Sequence, residues 1–229
     1  MWPLCGASLI CATIALGCTS YSALPPARAV AATPMGTTTQ SSEAEVTRKP
    51  FIVGEASLPN GFPAPGPVGE VIVKEYPAFR EARVEASAIK GGDQDQMFWP
   101  LFNHIKKEKI AMSAPVVMDF LAPTVDGEKG VDKPVSMSFV YGEPTAGKPG
   151  MDGTVDVLDM PAVTVVSVGV RGSYGQKKFR EGYAQLQTWL KANEAKYVAS
   201  GPPRFLGYNS PMVPWFMRFG EVQIPVRSK

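Results

Sequence analysis

From residue 68 onward one order of hydrophobic periods occurs twice, and that repetition limits the fold more than any other feature of the chain. In the first pass Val71 and Val73, then Phe79, Ala82 and Val84, alternate as two strands joined at Tyr76-Pro77. Residues 93–107 switch to a helical period, with Phe98, Leu101, Phe102 and Ile105 in one stripe and Asp93 or Asp95 positioned to cap the start. Pro100 falls within or near the first turn, where a missing donor matters least; a kink is the alternative. Strand patterns follow at 116–121 and 135–141, parted by a Gly/Lys/Asp loop at 126–134, and a further loop covers 142–153. The second pass has a β-branched strand at 162–170 and a helix at 176–192. Phe179, Tyr183, Leu186 and Leu190 share one face of that helix with Trp189 beside them, and strands follow at 204–208 and 221–226. Strand, helix, strand, strand, twice over, predicts an α+β domain: a duplicated unit forming one distorted antiparallel β-barrel or sheet flanked by two helices.

The preceding residues have a different character. Residues 4–17 are small and apolar, too short a run for a membrane span and suited to a signal-peptide core. Ala15-Leu16-Gly17-Cys18 is similar to a lipobox, which predicts a lipoprotein-like signal peptide over 1–18 with Cys18 lipidated. Two other readings stay open: ordinary secretory cleavage near Ala29, between small residues, or an organelle import sequence. The expected destination is the periplasm or cell envelope, with an organelle lumen as the alternative. Residues 19–67, rich in Ala, Thr, Ser, Pro and Gly, read as a flexible tether, and 68–229 as the folded domain.

Cysteine usage excludes a class of chemistry. Cys5, Cys11 and Cys18 all precede the domain, which therefore has no disulfide, thiolate metal site or cysteine nucleophile. The net charge is +2, and no basic stripe exists beyond Lys106, Lys107 and Lys109 at a helix end. No nucleic-acid partner is expected, and membrane contact is expected only through a lipid anchor. There is no HExxH, no phosphate-cradling glycine loop and no nucleophile elbow.

Each helix is followed by a proline-marked corner. The first reads Met112-Ser113-Ala114-Pro115-Val116; the second carries Gly201-Pro202-Pro203, Tyr208-Asn209-Ser210-Pro211, Pro214, and Arg218 through Glu221-Val222. In these motifs the stretch from about Val68 to the C-terminus resembles the SOUL haem-binding family. The resemblance implies the same α+β architecture, haem as cofactor, and a non-enzymatic protein that holds a tetrapyrrole between the first helix and the loop at 208–218. It is also similar in fold to effector-binding domains, so another flat apolar small molecule is the alternative guest. A weaker alternative is a hydrolase using Glu221.

On a wheel of the first helix, Trp99, Asn103, His104 and Lys107 fall opposite or beside the apolar stripe. With Tyr208, Met212, Trp215 and Arg218 they form the expected walls of the site, Lys107 and Arg218 serving as cations for carboxylates. His104 is the one histidine of the chain and the candidate haem-iron ligand, against a capping or surface role. Met97, Met112 and Met212 are second ligands or gap-fillers. Covering both faces of a macrocycle contributes about 10 kcal/mol, and association offsets about 4–15 kcal/mol. Paired carboxylates or an iron ligand must supply the difference.

Overall fold

The computed structural model describes residues 49–121 and 133–229. The leader, Cys18, the first part of the tether and most of the loop expected at 126–134 lie outside the described residues. The elements run β1 (Val71–Tyr76), β2 (Phe79–Glu85), α1 (Gln94–Lys107), β3 (Val116–Phe120), β4 (Pro134–Val140), β5 (Gly150–Asp152) and β6 (Val155–Met160). Then follow β7 (Val163–Arg171), α2 (Gln176–Ala192), β8 (Tyr197–Ala199), β9 (Arg204–Gly207) and β10 (Phe219–Ser228), with one 3-10 turn at Ala86–Ala88.

All strands join one 10-stranded sheet in the order β1-β7-β10-β9-β3-β4-β2-β6-β5, with β8 on β10. Every strand pair is antiparallel, and the path is not closed, so of the two expected forms the sheet is the one observed. The order is symmetric about the β9–β3 seam: β9 answers β3, β10 answers β4, β7 answers β2 and β1 answers β6. The repeated unit is thus strand-strand-helix-strand-strand, one strand longer than the sequence pattern indicates. Its leading strand is exchanged, since β1 pairs with β7 of the second half and β6 with β2 of the first.

The sheet is strongly curled. Tyr76 and Phe79 are three residues apart, at most about 11 Å. Their strands stand first and seventh in the order, about 29 Å apart were the sheet flat. Phe62 fills the closure, with its ring centroid 4.9 Å from Tyr76 and 5.3 Å from Phe79. On the outer face, α1 and α2 cover Ala82, Val84, Met118, Met137, Phe139, Val166, Val168, Val222 and Ile224. On the inner face a second cluster gathers Phe79, Val117, Val140, Leu206, Tyr208 and Phe219 against Ile52, Leu58 and Phe62.

The end of the stretch read as a tether therefore takes part in the domain. The Ala114 N–H donates to the Ser57 carbonyl, the Asn60 N–H to that of Gly142, and Asn209 Nδ2 to that of Val53. The apolar residues of 51–62 make this strap a lid on the inner face despite its loop-like composition.

α2 begins and ends where its periodicity indicates. It approaches the sheet most closely at Gly182, where an added Cβ would stand 2.6 Å from Val222 Cγ2. α1 buries Met97, Leu101, His104 and Ile105, with Phe98 and Phe102 only partly covered. Pro100 sits past the first turn, inside the helix. Gly91 and Gly92 lead into it at φ 90° and 59°, a left-handed turn that glycine adopts without penalty.

Candidate functional site

The seam between the halves, under the N-terminal ends of both helices, holds a cavity of about 210 Å³. Its floor is Met118 and Phe120 of β3 with Phe205 of β9; its sides are Phe179 and Gln176 of α2, Tyr174 and Gly175, and Gly92, Asp93 and Gln94 at the start of α1. Lys133 and Pro134 close the rim. α1 packs on β2 and β4 and α2 on β7 and β10, which leaves the paired strands β3 and β9 between the helices, with alternate residues facing upward into the seam. Phe120 stacks on Phe179 at 4.0 Å, and Tyr174 meets Phe205 edge-on at 5.2 Å.

Two helix N-termini converge on this apolar floor, and neither N-cap residue, Asp93 or Gly175, makes a side-chain cap bond. First-turn N–H groups have no intrahelical partner, and their dipoles favour negative charge. The α2 end has no acidic residue in its first turn and carries Lys177 beside Lys178, the latter paired with Glu181 at 2.8 Å. Across the rim Lys133 lies 3.5 Å from Asp93. The arrangement suits an amphipathic guest, with an apolar body on the aromatic floor and an anionic group toward α2 and Lys133. Tyr174 provides structure here: its hydroxyl donates to the Phe219 carbonyl and accepts from the Asn209 N–H. Burial pushes its pKa up to about 12, so it remains a phenol.

The expected site residues do not assemble into one wall. His104 and Trp99 are five residues apart on α1, about 140° around the helix. His104 is 7% exposed and both ring nitrogens are engaged, Nδ1 with Asp152 at 2.7 Å and Nε2 with the Tyr141 hydroxyl at 2.8 Å. Iron at either nitrogen would have to displace one of these partners. Lys107 pairs with both oxygens of Asp152, at 2.8 and 2.9 Å. This Lys107 contact, joined by His104, holds the Asp152 carboxyl below the usual range. The group is a clasp between α1 and the β5 edge.

Trp99 is exposed and meets Phe98 and Phe102 edge-on, with Asn103 exposed nearby on the helix. On the second corner, Tyr208 is buried with its hydroxyl on Glu221. Arg218 donates to the carbonyls of Val213 and Pro211, closing its own loop, so it is not the free carboxylate clamp expected. Met212 and Trp215 point into solvent. Met97 is a core side chain and Met112 a partly buried one, both gap-fillers.

Glu221 is fully buried and receives Lys74 Nζ at 2.6 Å, Gln223 Nε2 at 2.9 Å, the Tyr208 hydroxyl at 3.1 Å and the Gly66 N–H. The Glu221 carboxylate is thus enclosed by four donors and faces a buried polar cluster.

A family model described as SOUL heme-binding protein matches residues 69–225. The chain belongs to that family. The match spans both halves of the SOUL domain, including the exchanged strands and the pocket. No curated protein matches the chain.

Among solved structures, the chain of EcmrR in an EcmrR–DNA complex is similar, with TM-score 0.54 and 16% identity over 70% of this chain and 58% of that one. The SOUL domain thus spans little more than half of that longer chain. The EcmrR C-terminal domain gives 0.53 and 16%, over 70% of this chain and 98% of that domain. An uncharacterized conserved protein from Listeria innocua gives 0.53 and 12%, over 70% and 94%. At such identities the likeness establishes the fold.

The family implies haem, and the seam fits part of that group. Its floor suits a flat apolar ring and its rim suits carboxylates, while no lining side chain offers iron a free ligand among the described residues. At about 210 Å³ it is smaller than the pockets that enclose drug-sized ligands, which run to roughly 300–1,000 Å³. Sequence reasoning assigned Phe179 to the core and missed Met118, Phe120 and Phe205 as a floor and Tyr174 as a side wall. The available signal was the repeat itself, which places the strand after each helix at the symmetry seam.

Proposed function

We propose that this SOUL-family protein is a non-enzymatic tetrapyrrole binder that seats one edge of the macrocycle in the seam, with its carboxylates toward the α2 N-terminus and Lys133. The convergence of an aromatic floor and two uncapped helix N-termini on one pocket carries this reading. Binding then rests on burial and carboxylate recognition, without coordination by His104. The expected placement, between the first helix and the 208–218 loop, is less favoured because His104 and Tyr208 are buried in internal hydrogen bonds and Trp99 lies about 140° from His104 around the helix.

Titration of the full chain with haemin tests the proposal. A saturable Soret change is expected, weakened about five- to tenfold in Lys133→Glu, as loss and reversal of a charge contact imply. His104→Gln leaves the band position unchanged. A linear, unsaturable response, or a band shift lost in His104→Gln, overturns it.

The small cavity favours a second reading, in which a smaller flat apolar acid is the resident guest. Native mass spectrometry of the purified protein distinguishes the two by the mass that leaves with denaturation.

We also propose export, with Cys18 lipidated and the residues after it spanning to the folded body. The mass of the mature protein checks this: a diacylated N-terminal Cys18 is expected, and an intact residue 1 rejects it.

A further inference from the structure

Four large apolar side chains are held in solvent at one end of the molecule. Met212 is 88% exposed, Trp215 64%, Phe216 56%, and Phe51 of the strap 68%. Arg171 ties the two segments together, with Nη1 donating to the Met217 carbonyl and Nη2 to that of Phe51. The tip is braced from within. Arg218 bonds the carbonyls of Val213 and Pro211, the Met217 N–H bonds that of Pro214, and Glu55 takes both the N–H and the hydroxyl of Ser210. Val213 turns inward and is buried, anchoring the loop. The fold therefore presents these rings deliberately in place, where single exposed residues would call for no explanation.

Two observations select the partner. Arg171 and Arg218 direct their donors to main-chain carbonyls, so among the described residues neither forms an ion pair. With Lys49 beside Phe51 they outweigh the nearby Glu55, giving the tip a positive surround. Residues 1–48 also join the folded body at Lys49-Pro50-Phe51, next to the tip. Trp, Phe and Met side chains amid basic groups match a lipid headgroup boundary, which demands no shape-matched groove.

We propose that this tip is a membrane-docking surface. Met212, Trp215, Phe216 and Phe51 enter the interfacial layer of an anionic bilayer, and Lys49, Arg171 and Arg218 meet its headgroups. The inference is independent of the seam ligand, and its argument from residues 1–48 rests on the proposed anchoring at Cys18.

Flotation of the full chain with phosphatidylcholine vesicles, with and without phosphatidylglycerol, tests it. Binding is expected to rise with phosphatidylglycerol and to fall about tenfold or more in the double variant Trp215→Ser, Phe216→Ser. Trp215→Phe should retain binding, which separates apolar insertion from a folding defect. Three results overturn the proposal: no vesicle binding, equal binding by the double variant, or a concentration-dependent dimer that the double variant abolishes.

Discussion

The two halves of the sheet share a topology and differ in the polar groups they bury on the inner face. In the second half, Lys74 of β1 and Glu221 of β10 are 2.6 Å apart, with side chains 4% and 0% exposed. Tyr208, Gln223 and the Gly66 N–H complete the shell. In the first half, Glu81 and Arg83 of β2 join Asp119, Ser136 and Ser138, and the Arg83 side chain remains 23% exposed. The buried acid stands on β10 in one half and on β2, the counterpart of β7, in the other. Duplication preserved the arrangement of strands without preserving the chemistry between them. A sealed ion pair has nowhere to turn when one member is lost, whereas a pair with an exposed arginine can use solvent.

The largest effect should come from the sealed pair. Lys74→Met strands the Glu221 carboxylate and should lower stability by about 3–5 kcal/mol, read from urea unfolding. Adding Glu221→Leu to that variant should recover a large part of the loss. A double variant no more stable than the single would show that the comparison misjudges the lysine.

A smaller change is expected from Glu81→Gln, about 1 kcal/mol, because Arg83 keeps Asp119 at 3.1 Å. Its pH dependence sharpens the contrast. Burial, helped by Asp119 and opposed by Arg83, raises the Glu81 pKa above 4.5. The folded state then holds this proton more tightly than the unfolded chain, so the associated stability is present below pH 4.5 and lost as pH rises through the raised value. The gap between wild type and Glu81→Gln should therefore narrow with rising pH. Lys74 behaves oppositely: burial lowers its pKa despite Glu221, so its contribution improves as pH climbs toward 10.5.

The long elements were legible because their periods are uninterrupted. α2 is the clearest case, with Phe179, Leu186 and Leu190 in register after a Gly-Ser-Tyr-Gly break. β5 and β8, three residues each, carry too little pattern to stand out from their loops. The strap resembled a linker because Pro and Gly separate its apolar residues, yet Ile52, Leu58 and Phe62 need only occasional contacts to close the inner face. His104 shows a different limit. Its environment depends on Asp152, 48 residues away, so its sequence neighbours could not distinguish a ligand from a clasp. Phe120 and Phe205 were read as strand residues, and their meeting under the seam required the β3–β9 pairing.

The position of β10, between β7 and β9, has a consequence for assembly. Gly220–Gln223 pair with β9 on one side while Phe219–Val226 pair with β7 on the other. Without it β1 and β7 pair only with each other, so no continuous sheet can join them to β9 and the first half until β10 has been synthesised. The first-half strands β3, β4, β2, β6 and β5 pair among themselves without it, whereas the second half is completed late, as expected for pairings distant in sequence. Withholding that strand therefore leaves one half of the sheet able to order and the other in two pieces.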